Sequence, residues 1–231
     1  MRNRLACAWV AATILAMVPA SAEDIGAGQV AKRLRDKFLS QWQCENLQVS
    51  VVPYADQSLT NQGRFCTISV RADAAVRKGI AMRPMYVKGS DVTLDLGKLF
   101  AEECSVETKS RGRTEMHIEL SEDDLTEGLR QAQSAVPDIT ASLQNGLITL
   151  TGTYKLLIGN KFRMAGRLEC EGGYKINFIP TAAKVNGVPI PVSGLKVLLA
   201  KLNPILDLST VIMKPKITSL EVKDGKLIAK S

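Results

Sequence analysis

The side chains able to do chemistry in this chain are few, and their spacing suits no familiar catalyst. The sequence has one histidine, His117, inside the alternating stretch Thr114 to Leu120, with no cysteine near it at ligand spacing. That places it as a structural strand residue, although a lipid hydrolase would need it. No G-x-S-x-G and no phosphate loop occur, and the "GAG" at Gly26 to Gly28 is too incomplete for a dinucleotide site. The acids Glu122, Asp123 and Asp124 cluster where a helix begins, and the positive end of the helix dipole explains them. The expectation is a protein that is not an enzyme, with no cofactor and no metal.

The cysteines point the same way. Cys44, Cys66, Cys104 and Cys170 fit no zinc pattern such as paired C-x-x-C, and a lone histidine supplies no nitrogen set. An even number of thiols in an exported chain suggests two disulfides. Three connectivities are open, and neighbouring strand positions favour Cys44 with Cys66 and Cys104 with Cys170.

The export expectation comes from "MRNRLACAWVAATILAMVPASA". Arg2 and Arg4 precede an apolar run from Leu5 to Val18, and Ala20-Ser21-Ala22 offers small residues for cleavage after Ala22. The run is shorter than the roughly 20 residues a spanning helix needs. Cys7 precedes the apolar run, a poor context for lipidation. Residues 1–22 thus read as a signal peptide and 23–231 as one domain, periplasmic or secreted, large enough for a hydrophobic core.

Removing Arg2 and Arg4 leaves 28 basic against 23 acidic residues, about +5. The charge is scattered and only 5% of residues are aromatic, unlike the basic stripe of a nucleic-acid binder. Weak, transient attraction to anionic lipid head groups fits better, and any single charge also serves to solvate the surface.

These residues must be positioned by a mixed set of elements. Val30, Leu34, Phe38 and Trp42 recur every fourth residue, predicting an amphipathic helix over 29–43 with Lys32, Arg33, Arg35 and Lys37 largely on its other sides. Core packing is its default role and a membrane surface its sharper one. Strands are expected at 47–52, 64–72, 85–96, 105–109 and 114–120, with Gly63, Gly79 and Gly89 as punctuation and a short helix near Leu99. Ser121 and Asp124 form an acidic capping box for a helix carrying Leu125, Leu129, Ala132 and Val136, ended by Pro137.

Then "NGLITLTGTYKLLIGNKFRMAGRLEC" alternates apolar and polar residues for two dozen positions. Residues opposite each other in an antiparallel pair share a face, so loop length and pattern must agree in parity. Asn145-Gly146, a preferred two-residue turn, sets Leu143 opposite Ile148 and Ala141 opposite Leu150. A three-residue loop Gly159-Asn160-Lys161 would pair Ile158 with Phe162 and Leu156 with Met164. A loop Glu171-Gly172-Gly173 would pair Cys170 with Tyr174 and Leu168 with Ile176. The outcome is a four-stranded meander with one apolar face and one polar face. Its strand 147–158 would be about twelve residues long, and Gly152 and Gly166 would bend it and admit close approach. A helix over 193–202 carries Leu195, Leu198, Leu199 and Leu202, and Asp224-Gly225 closes a last hairpin with Val222 opposite Leu227 and Leu220 opposite Ala229.

The order of "LSEDDLTEGL", "NGLITLTG", "IPTAAKVNGVPIP", "LNPILDLS" and "ITSLEVKDGKLIA" resembles the LmeA-like phospholipid-binding family of exported bacterial proteins. The resemblance runs from the first mature helix to the C-terminus. It implies phospholipid binding in an α+β fold similar to the tubular lipid-binding proteins, with a long, curved antiparallel sheet wrapped around amphipathic helices and an elongated apolar groove or tunnel. It also implies a role in envelope lipid maintenance. The four cysteines depart from the family pattern.

The reading is a non-enzymatic lipid carrier of the cell envelope whose partner is a phospholipid or related lipid. Leu129, Ile148, Leu150, Tyr154, Leu156, Ile158, Phe162, Met164, Leu168, Ile176, Phe178, Leu198 and Leu199 would line the groove. Lys155, Lys161, Arg163 or Arg167 would meet the head group at its rim. Acyl burial would drive binding at about 0.8 kcal/mol per CH2. The alternative is an envelope protein-interaction module without a lipid, using the polar sheet face or an edge strand.

Overall fold

The computed structural model describes residues 25–132, 136, 138–154, 160–209 and 211–231. The expected signal peptide, residues 1–22, and the expected site positions Lys155, Leu156 and Ile158 lie outside the described residues.

The first helix, α1 (Ala27–Leu39), buries Val30, Leu34 and Phe38, as their spacing requires. It ends sooner than its apolar period suggests, at Ser40, whose hydroxyl donates to the Lys37 carbonyl at 2.8 Å. Trp42 lies past the helix yet stays buried, because its ring stacks on Phe38 with centroids 5.1 Å apart. There follow β1 (Gln43–Glu45), β2 (Gln48–Pro53), α2 (Gln57–Asn61), β3 (Arg64–Ala72), β4 (Ala74–Arg77), β5 (Ile80–Met82) and β6 (Met85–Leu94). Next come α3 (Leu96–Phe100), β7 (Thr108–Ser110), β8 (Thr114–Ser121) and α4 (Glu122–Ala132).

At the start of α4 the capping box forms as the sequence requires. The Asp124 N–H donates to the Ser121 hydroxyl and the Ser121 N–H donates to the Asp124 carboxylate, both at 3.1 Å. Asp124 also pairs with Arg83, so the acid is satisfied twice although nearly buried. Of the predicted stripe, Leu125, Leu129 and Val136 are buried, whereas Ala132 is exposed at the last turn.

The second half contains β9 (Thr140–Gln144), β10 (Leu147–Tyr154), β11 (Asn160–Glu171), β12 (Lys175–Val185), β13 (Val188–Pro189), a 3-10 turn at Val192–Leu195, α5 (Lys196–Leu202), β14 (Leu206–Asp207), β15 (Ser219–Lys223) and β16 (Lys226–Lys230). Every described strand pair is antiparallel. The fold is α+β, but its strands are divided among three sheets. Two are large and open, ordered β13-β12-β11-β10-β9 and β15-β16-β8-β6-β3-β2, with β14 on β12 and β7 on β6. The third, β1-β4-β5, was not visible in the alternation. Its β4–β5 turn is Lys78-Gly79, with Lys78 at φ 50°, a left-handed position that Asn or Asp usually fills.

The meander β9-β10-β11-β12 has the predicted order, and its first hairpin has the predicted register, Leu143 opposite Ile148 and Ala141 opposite Leu150. The C-terminal hairpin also pairs Val222 with Leu227 and Leu220 with Ala229. The two middle joints differ from expectation. β10 meets β11 with Leu150 opposite Met164, Gly152 opposite Phe162 and Tyr154 opposite Asn160, in place of the expected Leu156–Met164 and Ile158–Phe162 pairs. β11 meets β12 with Cys170 opposite Ile176 and Leu168 opposite Phe178. The first shift preserves parity, and the second does so as far as Gly166, so these apolar side chains stay on their face while their partners change. Parity is blind to slips of this kind.

Gly166 sits where the β11–β12 register breaks. A Cβ there would collide with the Ile179 carbonyl oxygen and lie 2.6 Å from Pro180 Cα. At Gly152 the approach comes from the apolar side, with Val136 Cγ1 2.7 Å from a would-be Cβ. Both glycines therefore mark close contacts, as their interruption of the apolar row suggests.

The disulfide expectation is corrected: all four thiols are free. Cys44 lies on β1, which pairs with β4, whereas Cys66 lies on β3 of another sheet at the point where the β2–β3 register breaks. Cys104 follows α3 and Cys170 ends β11, so that second pair is likewise split between different parts of the fold. Burial raises the thiol pKa of Cys44 and Cys170, holding them as neutral thiols.

Candidate functional site

The apolar row of the meander faces inward. Ile148, Leu150, Met164, Ile176 and Phe178 are fully buried and Phe162 nearly so; Tyr154 and Leu168 are partly buried. Leu129 from α4 and Leu198 from α5 join them in one cluster, with Leu199 packed against it. The same cluster takes in Val30, Leu34 and Phe38 of α1 and the inner residues of β3, β6 and β8, so both large sheets share one core.

An open cavity lies at the edge of that core. A cleft of about 500 Å³ runs between the C-terminal end of α1, the segment before β7, and the segment after β14. Phe38, Trp42, Val106, Val211, Ile212 and Met213 give it an apolar wall; Lys37, Gln41, Glu107 and Lys214 stand among its polar groups. Phe38, Trp42, Val211 and Met213 also belong to the shared core, so the cleft opens onto the same apolar cluster as the meander row.

Backbone geometry builds the far wall. Met213 and Lys214 are consecutive non-glycine residues at φ 64° and 40°, left-handed values that cost energy. The bend carries Met213 onto Gly89 of β6, where a would-be Cβ would lie 2.5 Å from the Met213 sulfur. Gly89 is thus a seat for Met213 rather than a turn. The Arg111 guanidinium donates to the Lys214 carbonyl at 3.1 Å and ties the bend to the β7–β8 connection. Inside the cleft, Glu107 is paired with Lys98, and that carboxylate raises the lysine's pKa. The acid's charge is therefore offset at the site.

The expected head-group residues lie elsewhere. Lys161, Arg163 and Arg167 are exposed on the outward row of β11, and Arg167 is engaged by Glu169 at 2.6 Å. None of them lines the cleft. His117 is half-buried on β8, 2.8 Å from Glu119, which also accepts from Lys226 at 2.8 Å. No group of three or more metal-ligating side chains occurs among the described residues.

The family model for LmeA-like phospholipid-binding proteins matches residues 22–230. The chain belongs to that family. No curated protein and no solved structure matches it. Membership of this LmeA-like family points to phospholipid binding. The structure brings most of the predicted apolar residues into one cluster but leaves Lys161, Arg163 and Arg167 outside it. Sequence reasoning missed the cleft because its walls come from three distant segments. Phe38 and Trp42 carried a signal, read as the last two steps of a helical stripe.

Proposed function

We propose that this LmeA-like protein is an exported, non-enzymatic phospholipid carrier of the bacterial cell envelope. In this reading residues 1–22 direct export and are cleaved after Ala22, and 23–231 act as one lipid-binding domain without cofactor. The observation that carries it is the family match over 22–230. The acyl chains enter the cleft at Phe38, Trp42 and Met213 and extend toward the meander row, where Leu150, Phe162, Met164 and Phe178 receive them as the core parts into a groove. Lys37 and Lys214 flank the entrance, and Lys161, Arg163 and Arg167 bias the outer surface toward anionic lipid. The carrier meets a membrane transiently to load and unload.

Support for the entry point is physical. A cleft with an apolar wall continuous with the core lets an acyl chain exchange water for hydrocarbon at about 0.8 kcal/mol per CH2. The test uses a convenience of the sequence: once Trp9 leaves with the signal peptide, Trp42 is the sole tryptophan. Phospholipids brominated along the acyl chain should quench its fluorescence saturably, and mass spectrometry of protein purified without detergent should recover lipid. Stable, lipid-free protein that shows no quenching with any phospholipid would sink the carrier reading. Photocrosslinks from the Thr149 to Thr153 face to protein, with none to lipid, would favour an interaction module instead.

A further inference from the structure

We infer that the β12–β13 hairpin and the outer side of α5 form the surface that docks on an anionic bilayer. This rests on the membrane contact proposed above and assigns it a place. The two most exposed large apolar residues of the described chain are both here, Val188 at 63% and Val197 at 68%, against 44–46% for Leu39, Val52 and Leu147. Single exposed apolar residues are ordinary on protein surfaces. What sets these two apart is the company they keep.

The hairpin turns through Asn186 and Gly187, at φ 49° and 82°, and pairs Val185 with Val188. Since Phe162 pairs with Val185, one row runs from buried Phe162 through half-buried Val185 to open Val188. The apolar face of the meander thus emerges into water at this edge. The other face of the same edge is basic: Arg163 stands opposite Lys184, both exposed, with no described carboxylate pairing either. Like charges directly opposite on a sheet are destabilising. The arrangement is costly unless an external anion relieves it.

Charge continues the pattern beyond the hairpin. On α5, Lys196 adjoins the exposed Val197. The edge also refuses a protein strand. β13 has two residues, Pro189 lacks an N–H, and Pro191 follows. An edge with an open valine on one face, an unrelieved Arg163–Lys184 pair on the other and no strand-pairing capacity fits edge-on contact with anionic head groups over hydrocarbon.

The test measures co-sedimentation of the processed chain with sucrose-loaded vesicles of phosphatidylglycerol in phosphatidylcholine at low salt, beside Trp42 quenching by short-chain brominated phospholipid without vesicles. The parent should bind these vesicles, less so as salt rises. Lys184→Gln with Lys196→Gln should weaken partitioning by about 25-fold, from roughly fivefold per lysine. Val188→Ser with Val197→Ser should weaken it at unchanged charge. Both variants should keep parental Trp42 quenching, and Lys184→Gln should melt no lower than the parent because it removes the like-charge pair. Parental vesicle binding by both variants would overturn the inference, as would loss seen only for Lys32→Gln with Arg35→Gln on α1. A parent that ignores the vesicles would also overturn it, as would tip variants that lose quenching and docking equally. Vesicle binding without any quenching would refute the carrier reading and leave the docking surface standing.

Discussion

The β9–β10 and β11–β12 ribbons are written in the same alternating pattern, yet they hold register by different means. In the first, Asn145 and Gly146 occupy left-handed positions at φ 52° and 76°, and the two-residue turn leaves one pairing available. In the second, the turn at Gly172 and Gly173 is looser, and the register changes again at Gly166. There the strand crosses so close to Ile179 and Pro180 that only hydrogen fits. The bulge also reverses which parity of β12 faces inward. Ile176 and Phe178 are buried before it and Ala183 after it. A tight turn sets register from one end, whereas a bulge resets it part-way along.

Removing a face residue should be the most damaging way to perturb this comparison. Phe178 is fully buried, and Phe178→Ala should cost about 4 kcal/mol in chemical denaturation. If acyl chains reach this row, saturating phospholipid should raise the denaturation midpoint of Phe178→Ala and of the parent by different amounts, and an equal rise in both would confine the ligand to the cleft. Gly166→Ala comes next, at about 3 kcal/mol, because backbone rather than a flexible side chain stands in the way. Should Gly166→Ala be tolerated within a few tenths of a kcal/mol, the bulge would not be setting the register.

The tight turn should respond less. Asn145→Ala places alanine at φ 52° and should cost about 1 kcal/mol. Amide exchange should then rise along β9 and the start of β10 and leave β11–β12 unchanged. Equal acceleration across all four strands would show that the two ribbons share one register device.

How much of this was legible follows from the same physics. The helix start at Ser121 and Asp124, the order of the meander and both tight hairpins could be read because each depends on local chemistry or on parity. The β10–β11 partners could not, since slips of an even number of residues bury the same side chains. The β4–β5 hairpin escaped because Lys78 took a position where sequence logic looks for Asn or Asp. The cleft was hidden for a different reason. Trp42, Val106 and Met213 meet only through tertiary packing, and the φ values that bring Met213 onto Gly89 have no glycine to announce them.

The smallest predicted effect contrasts the charges on the two large sheets. On the seven-stranded sheet, Glu119 of β8 accepts from Lys226 of β16 and lies against His117, while on the meander Arg163 faces Lys184 without relief. Lys226 first, then His117, holds the Glu119 pKa below the ordinary glutamate value. A carboxyl with a depressed folded pKa adds stability that is full above its unfolded value, about 4.3, and is lost as pH falls through the folded one. Glu119→Gln should therefore lower stability slightly at pH 7 and flatten its decline below about pH 4.3, as read from melts across that range. The corresponding change on the meander, Lys184→Gln, should move stability the opposite way. Parallel acid profiles for Glu119→Gln and the parent would mean that the carboxylate's partners contribute nothing across β8 and β16.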